Sequence, residues 1–199
     1  WVDGAGLAER QEVAWGYWRW LSEASCFSPK EAGSQAIGCV VGGLMLARQL
    51  PDAEGGPVRA RALELYADRI RAHRVADRGA LLPPEHGGAY DNNYGPISLS
   101  FLAQAHRISG EPVFAQDGDA LARYIDARLT GGGFDSGGPR YSEQHSAFES
   151  VLGLRYFGAR IGSELGRHRC DTHRARQRGH HDRGGDGRFA LQVVWPSHA

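Results

Sequence analysis

Lysine is almost missing from this chain of 199 residues: Lys30 is the only one, and arginine carries the rest of the positive charge. Net charge is missing too, with 23 basic against 23 acidic residues, so no overall field recruits nucleic acid or an anionic membrane. The three cysteines, Cys26, Cys39 and Cys170, have no paired spacing, which excludes a disulfide framework and a four-ligand zinc pattern and leaves the redox compartment open. No apolar run reaches the roughly 18 residues that a membrane span needs; the best candidate, 36–46, is broken by Gly38, Gly42 and Gly43. The chain opens on Trp1 without the basic, apolar, small-residue order of an export signal, and reads as a mature form or a fragment. Secreted, periplasmic and cytoplasmic locations all stay open to a soluble chain. Alternating, strand-like text is absent as well, and nothing argues for strands.

What is present is enough for one domain with a core, 41% hydrophobic and 23% charged residues. From Leu7 to Glu23, Val13, Tyr17, Trp20 and Leu21 recur at helical spacing with Trp18 beside them. Ser28-Pro-Lys-Glu starts a new element, and Ile37, Val40, Val41, Leu44 and Met45 form a stripe among small residues, which predicts a buried inner helix. The stretch 51–57 is turn chemistry, and Val58, Ala62, Leu65, Tyr66 and Ile70 predict an outer helix with four arginines on its wetter sides. After a loop from Ala76 to Tyr94, Ile97, Phe101, Leu102 and Ala105 mark a second inner helix that ends at Ser109-Gly110. Pro112 then opens an amphipathic helix through Leu121, Tyr124, Ile125 and Leu129.

Gly56-Pro-Val58 and Glu111-Pro-Val113 stand 55 apart, and Leu63 and Tyr66 answer to Leu121 and Tyr124 at 58, so the repeating unit reads as a helical hairpin. Phe148, Val151, Leu152 and Tyr156 open a third inner helix whose outer partner does not follow. From Ser163 onward seven arginines and five of the nine histidines crowd into 37 residues without apolar periodicity until Phe189. We expect residues 163–199 to be an irregular tail, either a natural disordered one or an out-of-frame reading of an arginine-rich gene. Residues 1–162 are then the structured unit.

Two loops hold the chemistry. His86 to Pro96 sets His86, Tyr90, Asp91, Asn92, Asn93 and Tyr94 between glycines at a helix mouth, and 131–145 repeats the make-up with Arg140, Tyr141 and His145. In a series of hairpins the loop before each inner helix lands on one rim, so Gln35 and both loops are expected to share a cleft, with helix N-termini that favour an anion.

Hairpins at 55 to 58 residues with glycine-rich loops before the inner helices resemble the α/α toroid enzymes that act on carbohydrates. The phrase Tyr90-Asp-Asn-Asn-Tyr-Gly-Pro-Ile-Ser-Leu, with its helix ending at Ser109-Gly110-Glu111, is similar to the inner-helix entry of heparinase-like and alginate-lyase-like polysaccharide lyases. The resemblance covers Gly6 to about Gly162 and implies an all-α fold, repeated helical hairpins forming roughly half of an (α/α) toroid. It implies β-elimination on a uronate-containing glycan, with an anionic polysaccharide or oligosaccharide as partner and no cofactor. On that resemblance Asn92 or Asn93 with Arg140 neutralises the substrate carboxylate, Tyr94 abstracts or donates a proton, and His145 takes the second proton role. Gln35, His86, Tyr90, Asp91, Asn93, Tyr141 and Glu149 are the expected binding residues.

Each of these residues has a plainer reading beside it. Asn92-Asn93 caps or turns into the helix, Tyr94 is a core aromatic, His145 caps a helix with Glu149 paired to it, and Arg140 and His86 are solvated loop residues. Two other functions compete. A toroid glycoside hydrolase draws its acid and base from Asp91, Asp135, Glu143 and Glu149, and a non-catalytic helical fragment needs none of them. Cys170, His173, His180 and His181 have ligand chemistry, but flanking arginines and the lack of apolar packing give no metal site. The arginine-rich tail attracts polyanions without specificity, and no nucleic-acid module accompanies it.

Overall fold

The computed structural model of the chain describes residues 4–23, 33–84, 94–127, 129–130, 133–134 and 151–163. These are mostly helical: α1 (Gly4–Glu23), α2 (Ser34–Ala47), α3 (Asp52–Glu64), α4 (Tyr94–Ser109), α5 (Pro112–Ala127) and α6 (Val151–Ile161). The tail from 164 lies outside the described residues, as do 85–93 and 135–150.

Two antiparallel hairpins form the centre. Residues 48–51 join α2 to α3, and Gly110 with Glu111 joins α4 to α5, where a positive φ of 71° at Gly110 suits glycine. Gly38 faces Phe101, and the C-terminal Ala47 and Ser109 border one cleft, so α2 and α4 run the same way. Arg59 meets Glu111, Tyr66 meets Phe114 and Arg71 meets Asp117, so α3 and α5 also run the same way. The core between them holds Ile37, Val40, Leu44, Leu65, Leu99, Leu102, Phe114 and Ile125, each at most 1% exposed. Burying a side chain of that size contributes about 2 kcal/mol.

The helix expected to begin after Pro57 begins earlier. Pro51 takes the N-cap, its carbonyl accepts from Glu54 and Gly55 N–H at 2.9 and 2.8 Å, and Pro57 lies inside α3. The 51–57 stretch is therefore helix rather than turn: Pro51 stands ahead of the first helical residue, where no N–H is needed, and at Pro57 the helix forgoes the hydrogen bond to the Ala53 carbonyl. Beyond Glu64 the helix widens into a π-helical stretch, Leu65–Ile70. A wider turn advances each residue less around the axis, so Ala62, Tyr66 and Ile70, four apart, stay on one line and are all buried while Arg69 is exposed.

Short strands are present, against the expectation of none. Val75–Asp77 (β1) pairs antiparallel with Ala80–Leu82 (β2) across a two-residue turn, Arg78-Gly79, with φ of 46° and 87°. Two positive φ values in succession match the hairpin turn whose twist suits paired strands, and glycine makes the second inexpensive. Leu129–Thr130 (β3) pairs likewise with Gly133–Phe134 (β4). Both pairs are too short for alternation to show in sequence.

α6 starts on α4 and finishes on α5. Gly153 lies so close to α4 that an added Cβ would stand 2.5 Å from Ser100 N, and its own N–H donates to Ser100 Oγ at 3.0 Å. Phe157 is buried against Gly118, and Arg160 grips Asp119 with two hydrogen bonds, 2.9 and 3.0 Å. On α1 the expected stripe is split. Trp18 packs over Gly43 and Leu21 is buried, whereas Val13, Tyr17 and Trp20 are 69%, 61% and 61% exposed. The apolar arc of α1 is wider than the face that α2 covers.

Candidate functional site

The end of the molecule where α2 and α4 begin is the candidate site. The two helices are parallel, so their N-termini, with backbone N–H groups that no intrahelical carbonyl satisfies, open toward the same end. Gly33, the N-cap of α2, is extended and supplies no side-chain cap. Gln35, the second residue of α2, is exposed, and its Oε1 accepts from Ser34 Oγ at 3.4 Å. The contact between Gly38 and Phe101 sets the register of the pair, which puts Gln35 level with Ser98 of α4. Ser98 is fully buried, and its hydroxyl has no hydrogen-bond partner among the described residues. Leaving a buried hydroxyl unpaired costs about 1–3 kcal/mol. One turn before it, Tyr94 opens α4.

Of the residues expected to carry chemistry, Gln35 and the backbone of Tyr94 fall in the described part, and both stand at this end. His86, Tyr90, Asp91, Asn92, Asn93, Arg140, Tyr141, His145 and Glu149 lie outside the described residues. So do Asp135 and Glu143, and Cys170, His173, His180 and His181. The segments 85–93 and 135–150 lead directly into α4 and α6, and α6 begins at the level of Ser100, in the N-terminal half of α4. Among the described residues no group of three or more His, Cys, Asp or Glu side chains is placed to hold a metal. No described helix is long and apolar enough to cross a membrane.

Three polar clusters escaped the sequence reading. Tyr66 Oη donates to Asp117 Oδ2 at 2.7 Å and Arg71 Nε to the same oxygen at 2.9 Å. Burial, reinforced by the Asp117 charge, pushes the Tyr66 phenol well above its usual range, and the carboxylate in turn raises Arg71. Tyr124 Oη donates to Asp77 Oδ2 at 2.7 Å, fastening β1 to α5. His106 Nδ1 lies 2.6 Å from Tyr156 Oη, with the rings edge to face. Burial, then the nearby Arg160, lowers the His106 pKa, while Asp119 opposes the change. A neutral imidazole accepts the phenol's hydrogen at Nδ1 and carries its own proton on Nε2. The partners in each cluster are 46 to 51 positions apart, so no local spacing announces them. All three join elements that are not consecutive in the chain, a structural use of their polarity.

The chain matches no family model, no curated protein and no solved structure.

Proposed function

We propose that this chain is part of an (α/α) toroid carbohydrate-active enzyme, a polysaccharide lyase that cleaves a uronate-containing glycan by β-elimination at the rim where α2, α4 and α6 begin. The observation that carries the reading is the shared direction of α2 and α4, with Gln35 and Tyr94 opening the two helices at one end. The unpartnered, buried Ser98 hydroxyl one turn below Tyr94 supports it, because unsatisfied polar groups gather where function holds them. Two hairpins of the same sense, side by side, are what a toroid repeats.

In the mechanism, Asn92 or Asn93 and the fork of Arg140 neutralise the uronate carboxylate and so acidify the neighbouring C5 proton. Tyr94 or His145 takes that proton, the C4–O4 bond breaks as the C4–C5 double bond forms, and the other of the two protonates the leaving glycosidic oxygen. A phenol acts as base here only with a cation beside it to lower its pKa from about 10. The helix N-termini add a field that favours the anionic substrate.

The test is a screen of uronate polymers for ultraviolet absorbance of the unsaturated product. Tyr94→Phe is expected to lower turnover about a hundredfold or more, the scale of one general acid–base group, with the circular dichroism of the chain unchanged. Reducing ends released without that absorbance assign a hydrolase, with its pair among Asp91, Asp135, Glu143 and Glu149. Neither signal on any polymer leaves a non-catalytic helical fragment and ends the lyase reading.

A further inference from the structure

The opposite end of the hairpins holds a cleft of about 390 Å³, between the C-termini of α2 and α4 and the first turns of α3. That volume falls within the range of small-molecule sites, toward the lower end. Leu44, Leu50 and Ile108 give it an apolar wall. Arg48 and Asp52 stand at its border, both exposed, and neither forms an ion pair with the other or with any described residue. By contrast Arg59, also at the border, is fixed as wall by Glu111 at 2.6 Å and by the Ser109 carbonyl at 3.1 Å.

The paired glycines beneath the cleft differ in a telling way. A Cβ at Gly55 would strike the carbonyl of Ala47, so packing demands that glycine. A Cβ at Gly56 would meet nothing within 4 Å, and alanine is the better helix former there. Gly56 is thus not required by the fold, and its missing side chain keeps the floor of the cleft open.

We propose that this cleft binds a small zwitterion with an apolar side chain, of the class of the apolar α-amino acids. Arg48 takes the carboxylate, Asp52 the ammonium, and Leu44, Leu50 and Ile108 the side chain. An anion alone would face Asp52 unpaired and a cation alone would face Arg48; only a ligand bearing both charges satisfies both. The site is distant from the proposed lyase rim and stands whether or not that reading holds.

The probe is para-fluoro-L-phenylalanine, followed by fluorine NMR line width as the whole chain is added, beside its N-acetyl derivative and its methyl ester. The expected result is broadening by the free amino acid, with each blocked derivative about fivefold weaker, the scale of one exposed ion pair. Arg48→Gln and Asp52→Asn each weaken the free amino acid by a similar factor, and Gly56→Leu abolishes its binding while circular dichroism stays helical. Were Gly56→Leu not to fold, the two charge variants decide. No broadening at a probe concentration of about 10 mM, equal binding of all three compounds, or binding unchanged in Arg48→Gln and Asp52→Asn overturns the proposal.

Discussion

The two outer helices and the helices they cover are joined by different physics. α3 and the wider turns that continue it are stitched to α5 and to Glu111 just before it by polar groups, Tyr66 and Arg71 on Asp117 and Arg59 on Glu111, and keep one side toward water. α2, α4 and α6 meet through glycines against rings and backbone: Gly38 on Phe101 and Gly153 on Ser100. A helix half in water can carry a carboxylate, because its partners and the solvent together offset desolvation. A helix enclosed on most sides gains more by drawing close and removing apolar area from water. The outer layer is therefore sensitive to loss of its polar partners, and the inner layer to bulk added at its glycines.

Four changes break or sharpen that contrast. The largest effect belongs to the inner layer: Gly153→Val drives a branched side chain into the backbone of Ser100, and thermal or urea unfolding is expected to show a loss of about 3 kcal/mol or more. An unchanged unfolding midpoint would remove the close approach of α6. Next comes Asp117→Ala, which leaves the fully buried Tyr66 hydroxyl without an acceptor and is expected to cost about 2–3 kcal/mol in urea denaturation. Adding Tyr66→Phe then recovers part of that loss, since both partners are gone; a strictly additive double variant refutes the network.

Smaller again is a pH effect at the seam of α4 and α6. Burial and Arg160 hold the folded His106 pKa below its unfolded value, so the unfolded chain binds the extra proton. The stability contributed by neutral His106 is fully present above a pH of about 6.5 and is lost as pH falls through the lower folded value. Urea midpoints measured across that window are expected to decline for the native chain and to decline less for His106→Gln. Smallest is Arg59→Ala, which removes an ion pair whose side chains are 47% and 29% exposed; about 0.5 kcal/mol is expected, shrinking further at high salt.

The helices were legible to the extent that their apolar spacing was regular. α4 and α5 end and begin where Gly110 and Pro112 say they should, because those residues act on their own backbone. The β1–β2 hairpin was not legible, since three-residue strands show no alternation and Arg78-Gly79 reads as ordinary loop text. Nor was the start of α3, where two prolines and two glycines spell a turn although Pro51 caps a helix. On α1 the spacing of Val13, Tyr17 and Trp20 announced a helix and said nothing of which side would find a neighbour. The candidate site is an expectation from chemically able residue types in two loops, most of which lie outside the described residues. The described structure adds to it the parallel start of α2 and α4 and a buried hydroxyl at Ser98, which no motif marks.

Sequence alone determined that the described part of the chain is mostly helical and where most of those helices run, because helix periodicity, proline and glycine act over one or two turns. Tertiary structure alone decided which helices lie parallel, which tyrosine meets which carboxylate, and that an open cleft, bordered by two charges unpaired among the described residues, forms where α2 turns into α3. Those outcomes join residues about fifty positions apart in chain, and such contacts are selected by the total area and polarity that the packed helices bury together.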